Sequence, residues 1–266
     1  MLKKSDIKLV VADLDGTLLD SHKVLDSKIK DVLLNQDFKF TIASGRSMVL
    51  VKGFVEELHI DIPYITNNGA EIFKGNECIQ EYSIPKDEVH TILSLIQDYG
   101  FECHANAYDC IYTMGKIDLI RPFRNRFEGV LPIVDHAKIE EIVQNKINKM
   151  MCIDQNLSLL EKFQREVNKI CEHAWCERAE GNAFVIVNKE ASKGKALEQL
   201  MSLYHLNRNE VVVFGDNYND TSMFDVVDYS VCMANADEDI KQMATFVCGS
   251  NDENGVSNFL KEFLCK

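Results

Sequence analysis

The segment that most constrains the fold is a short apolar run that ends abruptly in two carboxylates. Residues 7–12 read Ile-Lys-Leu-Val-Val-Ala and are followed directly by Asp13, with Asp15 two positions later. An apolar run of this length is typical of a strand buried in a parallel sheet. Side chains two apart on an extended chain point the same way, and Gly16 lets the backbone bend back so that main-chain N–H groups face an anion. The sequence therefore predicts a strand that ends in a polar, anion-binding turn.

Further along the chain, strand and helix patterns alternate. They predict a helix over 26–35, a strand over 39–43, a helix over 47–58, a strand and hairpin from 64 to 84, a helix over 193–204, and strands over 210–214, 230–233 and 245–248. This alternation predicts an α/β fold with a doubly wound parallel sheet, whose last two strands lie at its edge. Polar clusters end the strands or open a helix at Asp13/Asp15, Ser44, Lys193 and Asp216/Asn219/Asp220. In such a sheet these positions meet at one edge.

Between the two halves of this pattern the chain differs in composition and in its order of predicted helices and strands. Residues 86–187 carry more charge and predict a helix over 89–98, strands over 103–104 and 110–114, a helix over 157–171, and a turn at 180–182 between two further strands. We interpret this stretch as a second α/β domain inserted into the first. The predicted domains are a core of residues 1–84 and 188–266 and an insert of residues 85–187. A chain of 266 residues is long enough to bury a core in each.

Charge and cysteine content narrow the class of partner. A net charge of -13 repels phosphate backbones and anionic lipid, which argues against nucleic acid or a membrane as partner. The nine cysteines lack C-x-x-C spacing, and an odd number cannot all pair within the chain, which favours reduced thiols. No apolar segment reaches the roughly 20 residues of a membrane helix, and no signal peptide is recognisable. We therefore expect a cytoplasmic protein that binds a small phosphorylated metabolite; the oligomeric state is not indicated.

The polar clusters carry complementary chemistry for moving a phosphoryl group. Asp13, Asp216 and Asp220 supply hard oxygen ligands of the kind that Mg²⁺ prefers, and Mn²⁺ has overlapping preferences. Ser44 can donate to a phosphoryl oxygen, and Lys193 can neutralise both a carboxylate and the transferring group. Aspartates form acyl phosphates in ATPase-type chemistry, so Asp13 is a candidate nucleophile. The start of a helix is electrostatically unfavourable for a cation, which favours a functional role for Lys193.

Four motifs in order give the chain a resemblance to a known family. They are DLDGTLLD (13–20), IASGR (42–46), SKGKAL (192–197) and GDNYNDTSM (215–223). Their order and spacing resemble the signature motifs of the haloacid dehalogenase superfamily; NNGA (67–70) and CMANADEDIK (232–241) resemble its Cof-type phosphatase branch with a type IIB cap. The resemblance spans the core and is weak in the insert. It implies a Rossmann-like core, an α/β cap that sets substrate specificity, and a Mg²⁺-dependent phosphatase that hydrolyses sugar phosphates, nucleotides or phosphorylated cofactors through an aspartyl phosphate.

The resemblance also implies roles for the motif residues. Asp13 is the implied nucleophile, and Asp15 is the implied general acid for the leaving alcohol and then the base for water, with its backbone carbonyl on the metal. An acid at position 15 is implied for phosphatases of this superfamily and not for its dehalogenases. Lys193 is the implied orienting cation. The implied phosphate-binding residues are Leu14, Gly16, Ser44, Gly45, Lys193 and Asn219, and the implied metal ligands are Asp13, Asp15, Asp216 and Asp220.

Two residues depart from the pattern of this branch. Ser44 stands where threonine is more usual, a change that keeps the hydroxyl. Ala234 stands where glycine is usual, so that only Asn235 after it is kept as a candidate contact. In the insert, we expect the following residues at the surface rather than on a substrate: Arg121, Arg124, Arg126, Arg178, His104 and Tyr108. Asn182, in the turn at 180–182, is a candidate to face the active site.

Two other functions share the same first chemical step. A phospho-aspartate signalling module also phosphorylates an aspartate beside a metal and a lysine, but it needs a long-lived acyl phosphate, whose hydrolysis Asp15 should speed. A phosphomutase passes the phosphoryl group to a sugar hydroxyl and would depend on a bisphosphorylated activator. Both remain alternatives to the phosphatase at this point.

Overall fold

The computed structural model describes residues 6–34, 36–179 and 181–263, and the chain divides into two compact units. Unit 1 comprises Met1–Gln80 and Ser192–Lys266, and unit 2 comprises Glu81–Ala191. The boundaries expected from the sequence are 84/85 and 187/188. Each unit has its own hydrophobic core.

Strands and helices alternate in the first part of unit 1 and again after the chain returns to it. The first part contains β1 (Leu9–Ala12), α1 (Ile29–Leu33), β2 (Lys39–Ile42), α2 (Met48–Glu57), β3 (Tyr64–Thr66), β4 (Glu71–Lys74) and β5 (Glu77–Glu81), of which the last residue of β5 belongs to unit 2. Unit 2 contains α3 (Lys86–Tyr99), β6 (Glu102–Ala107), β7 (Ile111–Met114), α4 (Arg121–Arg124), β8 (Ile133–Val134), α5 (Ile139–Ile142), β9 (Ile147–Ile153), α6 (Leu157–Ile170), β10 (Ala174–Arg178) and β11 (Ala183–Asn188). Unit 1 resumes with α7 (Lys193–Leu203), β12 (Val211–Gly215), α8 (Tyr218–Phe224), β13 (Tyr229–Cys232), α9 (Glu238–Lys241), β14 (Phe246–Val247) and α10 (Gly255–Phe263).

The core of unit 1 is a parallel five-stranded sheet with the order β14-β13-β12-β1-β2. Strand β1 lies between β12 and β2, and its residues are buried on both faces: Val10 packs in one apolar cluster, and Leu9 and Val11 pack in another. Burial on both faces explains why the sequence of β1 is apolar without alternation. The α/β class and the parallel sheet are confirmed by the structure and its solved neighbours.

The predicted position of one strand is wrong. Strand β13 was expected at the edge of the sheet, but it lies between β12 and β14, and only β14 is at that edge. The reason is that β13 is buried on both faces, since Val231 and Cys232 pack in different apolar clusters. Helix α1 is shorter than the predicted helix over 26–35, whose last residue, Asn35, lies outside the described residues.

Unit 2 is built on a six-stranded sheet with the order β10-β11-β9-β6-β7-β8. All its pairings are antiparallel except that of β7 with β8. Helices α3 and α6 place their apolar faces against one side of the sheet, with Ile92 and Phe163 completely buried there. Strand β9, next to the middle of this sheet, was not predicted.

Two further findings concern the helices and the cysteines of the described residues. Across the described ranges, every helix is too short or too polar to cross a lipid bilayer. The eight cysteines within those ranges are free thiols.

Candidate active site

Three neighbouring strands bring polar residues to one edge of the parallel sheet. Strand β1 lies between β2 and β12 and pairs in register with both. Asp13 follows β1, and its N–H donates to the carbonyl of Phe214 at 3.0 Å. Ser44 follows β2, and Asp216 follows β12. The carboxyl ends of adjacent parallel strands lie side by side, so these three residues share one edge.

Lys193, the first residue of α7, lies at the centre of the carboxylates. Its Nζ donates to Oδ1 of Asp13 and to Oδ1 of Asp220, each at 2.6 Å, and its side chain is fully buried. The helix start is fixed by Ser192, whose Oγ accepts from the N–H of Lys195 at 3.1 Å. Burial opposes the positive charge, but the two carboxylates outweigh it and hold the pKa of Lys193 above its ordinary value. Lys193 is therefore a fixed ammonium group in the site.

Asp216 and Asp220 are held in different ways. Oδ1 of Asp216 accepts from the hydroxyl of Thr17 at 2.9 Å. Oδ2 of Asp220 accepts from the backbone N–H groups of Asp216 and Asn217 at 3.0 and 3.1 Å. Since its other oxygen accepts from Lys193, Asp220 has both oxygens engaged and acts as a scaffold for the lysine and for the loop after β12.

The carboxylates fit a divalent cation. One oxygen each from Asp13, Asp216 and Asp220 lie within 4.8 Å of one another. Burial raises the pKa of Asp13 to about 8, with Lys193 opposing and the other two carboxylates adding to the rise; burial likewise raises the pKa of Asp216 to about 6, helped by Asp220. Burial and mutual repulsion thus disfavour the ionised forms of these carboxylates, and a hard divalent ion with oxygen ligands would favour them. Asp13 and Asp216 offer the less engaged oxygens.

The carboxylate of Asp15 points to other partners. It accepts two hydrogen bonds from Arg46, Nε to Oδ2 and Nη2 to Oδ1, each at 2.7 Å, and one from Nζ of Lys23 at 2.8 Å. Burial acts to raise the pKa of Asp15, but these hydrogen bonds outweigh it and hold the pKa well below its usual range. In this arrangement Asp15 is an ionised carboxylate, which can accept a proton but has none to donate.

The turn after β1 is held by its own backbone hydrogen bonds and by a side chain from the C-terminal part of unit 1. The buried residue Leu14 accepts at its carbonyl from the N–H groups of Thr17 and Leu19. Gly16 has a φ of +80°, and a Cβ at this position would lie 2.2 Å from Oδ2 of Asp216. The side-chain amide of Asn235 donates to the carbonyl of Gly16 at 2.9 Å. Asn235 therefore holds the turn.

Ser44, Gly45 and Asn219 come together in a second group. Ser44 is completely buried, and its Oγ accepts from the N–H of Arg46 at 3.1 Å, which leaves the hydroxyl hydrogen to be donated. Nδ2 of Asn219 donates to Oδ1 of Asn68 at 2.9 Å. A Cβ on Gly45 would lie 2.8 Å from the same oxygen of Asn68, so glycine leaves room for this pair.

The structure thus brings the sequence-predicted residues into two side-chain groups and sets Asp15 slightly apart. Asp13, Lys193, Asp216 and Asp220 form the first group, and Ser44, Gly45 and Asn219 form the second. Three further residues of these groups, for which the sequence predicts no role, are Arg46, Thr17 and Asn68. Each of the three lies inside a motif quoted above. The sequence signal for Arg46 is a cation shortly after β2, where it can reach the acid Asp15 that comes shortly after the neighbouring strand β1.

The candidate residues of the insert make contacts within unit 2. Arg124 pairs with Asp135 at 2.7 Å, Arg121 pairs with Asp118 at 3.2 Å, Nε of Arg178 donates to the carbonyl of Gly181 at 3.2 Å, and Tyr108 and Arg126 are exposed. His104 was expected at the surface, and this is wrong: it lies on the inner strand β6 and is buried. The side-chain amide of Asn182 donates to the carbonyl of Gln155 at 3.2 Å. Glu180, of the same turn, lies outside the described residues.

Comparison with known proteins gives consistent matches over nearly the whole chain. A family model of haloacid dehalogenase-like hydrolases matches residues 10–260. The chain is 27% identical over 286 aligned residues to the 5-amino-6-(5-phospho-D-ribitylamino)uracil phosphatase YwtE of Bacillus subtilis, covering 97% of this chain and 98% of that one. It is 25% identical to the pyridoxal phosphate phosphatase YbhA of Escherichia coli, covering 97% and 98%. The solved structure of the subclass IIB sugar phosphatase BT4131 matches with a TM-score of 0.82 at 26% identity, covering 96% and 98%.

Proposed function

Since the chain belongs to the haloacid dehalogenase-like hydrolases, we propose that it is a divalent-cation-dependent phosphatase in which Asp13 attacks the phosphorus of a small phosphomonoester. The named relatives are phosphatases, which supports this class of enzyme. The observation that carries the proposal is the buried contact of Lys193 with Asp13 and Asp220 beside Asp216. A carboxylate nucleophile, a fixed cation and a donor set for a divalent ion are what phosphoryl transfer requires.

In the first half of the proposed reaction, a carboxylate oxygen of Asp13 bonds to phosphorus as the bond to the leaving alcohol breaks, which gives an aspartyl phosphate. Lys193 stays ionised and offsets negative charge at Asp13 and on the phosphoryl group. Ser44 and Asn219 hold phosphoryl oxygens by donating to them. The proposed ligands of Mg²⁺ are Asp13, Asp216 and the backbone carbonyl of Asp15, with Asp220 in support. When bound, Mg²⁺ supplies positive charge to the phosphoryl oxygens.

In the second half, water attacks the aspartyl phosphate and Asp15 takes its proton. The contacts with Arg46 and Lys23 keep Asp15 ionised, as a base must be, but the lowered pKa also makes its carboxylate a weak proton acceptor, so Asp15 must give up these contacts for the base step. To protonate the leaving alcohol in the first half, Asp15 must first lose its hydrogen bonds from Arg46 and Lys23 and become protonated. Its position, two residues after Asp13 on the same turn, supports both roles.

The substrate is proposed as a small phosphorylated metabolite. The relatives named above act on a ribitylaminouracil phosphate, on pyridoxal phosphate and on a sugar phosphate, which differ in the leaving group and share the phosphomonoester. We propose that unit 1 carries the phosphoryl chemistry and that unit 2 serves as the cap domain that selects the leaving group. Nucleotides belong in the same panel of candidates.

The proposed function is tested by release of inorganic phosphate from a panel of sugar phosphates, nucleotides and pyridoxal phosphate, with Mg²⁺ or with EDTA. The wild type is compared with Asp13→Asn, which keeps the size of the side chain and removes the nucleophile. Asp98→Asn is the matched control, because Asp98 is an exposed residue of α3 in unit 2.

We expect Mg²⁺-dependent turnover in the wild type and the control, and its loss in Asp13→Asn. Turnover that persists in Asp13→Asn would contradict the assignment of Asp13 as the nucleophile. Activity unaffected by EDTA would contradict the proposed dependence on a divalent cation. Transfer of the phosphoryl group to an added sugar hydroxyl, dependent on a bisphosphorylated activator, would instead support the mutase.

A further inference from the structure

The loop between β3 and β4 has an unusual backbone and touches the candidate site from the side. Asn67, Asn68 and Gly69 have φ values of 48°, 59° and 92°, three consecutive residues in the left-handed region. Side chains with a Cβ adopt this conformation at a cost, although asparagine tolerates it better than most. A loop that keeps such a conformation must be held by its surroundings.

One set of contacts ties this loop to the chain that follows β2. The N–H of Asn68 donates to the carbonyl of Ser44 at 3.0 Å, and the N–H of Asn67 donates to the carbonyl of Arg46 at 2.8 Å. These two bonds fix the backbone on either side of Gly45. The hydroxyl of Ser44 is thereby placed from the loop as well as from its own strand.

A second contact ties the loop to the start of α8. Oδ1 of Asn68 accepts from Nδ2 of Asn219 at 2.9 Å, although the two residues are 151 positions apart in the chain. Asn68 is half-buried, and its amide lies over Gly45, where a Cβ would approach Oδ1 to 2.8 Å. Ser44, Gly45 and Asn219 therefore meet through one residue, Asn68.

The loop is itself anchored from behind. The buried carboxylate of Glu71 accepts from the hydroxyl of Thr66 at 2.7 Å and from the side-chain amide of Asn67 at 2.9 Å. On the other side, Gly69 packs so closely on the start of α7 that a Cβ would lie 2.1 Å from the carbonyl of Ser192. With both flanks fixed, Asn68 has little freedom to move away from Ser44 or Asn219.

From these contacts we infer that Asn68 is a positioning residue that sets the spacing between Ser44 and Asn219, the phosphate-binding residues of the proposed function, on which this inference rests. The side-chain amide acts through Asn219, and the backbone N–H acts through Ser44. Neither group of Asn68 needs to touch the substrate. Removing the amide leaves Asn219 free to rotate and lowers its ability to hold a phosphoryl oxygen.

The test separates the side chain of Asn68 from its backbone. Asn68→Gly keeps the left-handed conformation and the N–H to Ser44 and removes only the amide, so the protein should fold. Asn254→Gly is the matched control, since Asn254 is another asparagine of unit 1 with a φ of 57° and contacts Ser27 instead. The measurements are kcat/KM with the best substrate of the panel and binding of inorganic phosphate by calorimetry in the presence of Mg²⁺.

We expect Asn68→Gly to lower both kcat/KM and phosphate affinity about 10-fold. Asn219→Ala should have a similar effect, and the double variant should be no worse than Asn219→Ala alone, because Asn68 acts through Asn219. Asn254→Gly should leave both quantities unchanged. Thermal unfolding of all variants by circular dichroism shows that they are folded.

Two results would overturn the inference: wild-type phosphate affinity in Asn68→Gly, or losses in the two single variants that multiply in the double variant. A merely structural role for Asn68 would lower the unfolding temperature without this non-additivity. If the wild type binds phosphate but releases none from any ester, the proposed function fails, while the affinity of Asn68→Gly still decides whether Asn68 positions Asn219. If the wild type binds no phosphate, both proposals fail.

Discussion

At the scale of single residues, Gly16 shows how closely the turn after β1 is fitted to the site. Its φ of +80° costs an alanine about 1–2 kcal/mol, and the added Cβ would collide with the carboxylate of Asp216 at 2.2 Å. Gly16→Ala should therefore displace a proposed metal ligand and lower kcat/KM about 100-fold. Gly75→Ala is the control, because Gly75 has a φ of +58° and a Cβ there would have no atom within 4 Å. Urea unfolding should show a loss of stability in both variants, whereas steady-state kinetics should show a loss of activity in Gly16→Ala alone; equal activity in the two would refute the fit.

Lys193 gives the second prediction at this scale. Its ammonium pairs with two buried carboxylates, so Lys193→Met leaves Asp13 and Asp220 without this cation in a low-dielectric setting. Breaking a buried ion pair from one side costs about 3–5 kcal/mol, and added Mg²⁺ should restore part of that loss by supplying a cation. Lys195→Met, an exposed position on the same helix, serves as the control. Urea unfolding with and without Mg²⁺ measures both effects, and a Lys193→Met protein as stable as the control would argue against buried charges at this site.

The sequence could predict which residues meet but not every contact among them. Asp13, Ser44 and Asp216 follow adjacent parallel strands, and the carboxyl ends of such strands always lie at the same edge of the sheet. The pairing of Asp15 with Arg46 depends on side-chain directions within a turn, which neither periodicity nor spacing specifies. The residues outside the strand ends, Thr17 and Asn68, were missed for the same reason.

At the scale of elements, the close packing of α7 on α8 determines where Lys193 lies. A Cβ on Gly194 would be 2.1 Å from the carbonyl of Ser222, so only glycine allows the two helices to approach this far. Gly194→Ala should push α7 outwards, lower the free energy of unfolding by about 1–3 kcal/mol and reduce kcat/KM about 10-fold through the displaced lysine.

The control for this change is also a glycine in a helix. Gly53 is an exposed residue of α2 with no atom within 4 Å of a Cβ, so Gly53→Ala should stabilise unit 1 by about 0.5–1 kcal/mol and leave kinetics unchanged. Urea denaturation and steady-state kinetics on both variants give the comparison. Wild-type kinetics in Gly194→Ala would mean that α7 relaxes without moving Lys193.

Elements were predictable from the sequence where burial produces a simple pattern. Strand β1 and strand β12 are covered on both faces and are apolar throughout, which made them recognisable. Strand β9 is not so simple: Met150 and Cys152 pack under the helices of unit 2, while the half-buried Lys149 lies on the opposite side of the strand. Its sequence, Ile-Asn-Lys-Met-Met-Cys-Ile, neither alternates cleanly nor forms one apolar run. Only the pairing with β6 and β11, which are distant in sequence, makes it a strand.

At the scale of the whole molecule, the two units can be followed separately because the single tryptophan of the chain, Trp175, lies on β10 in unit 2. Fluorescence of Trp175 therefore reports the unfolding of unit 2, while activity reports unit 1 under the proposed division of roles. A change that lowers the stability of unit 2 should be visible in fluorescence whether or not it alters phosphoryl transfer. Measuring the two units separately is most useful for a buried group of unit 2 that affects stability but takes no part in the proposed phosphoryl transfer.

His104 is such a group, and it predicts how the stability of unit 2 depends on pH. Burial, with the nearby cations Lys149 and Arg126 adding to it and Asn106 opposing, lowers the pKa of His104 to about 3, from an ordinary value near 6.5. The unfolded chain thus binds a proton between about pH 6.5 and 3 that the folded chain does not. Stability is complete above about pH 6.5 and falls as the pH is lowered, by up to about 1.4 kcal/mol per unit. Urea unfolding followed by Trp175 fluorescence between pH 7 and 5 should show this decline in the wild type and in His90→Asn, an exposed histidine of α3, but a flatter profile in His104→Asn. Parallel profiles for all three would show that His104 accepts a proton without unfolding unit 2.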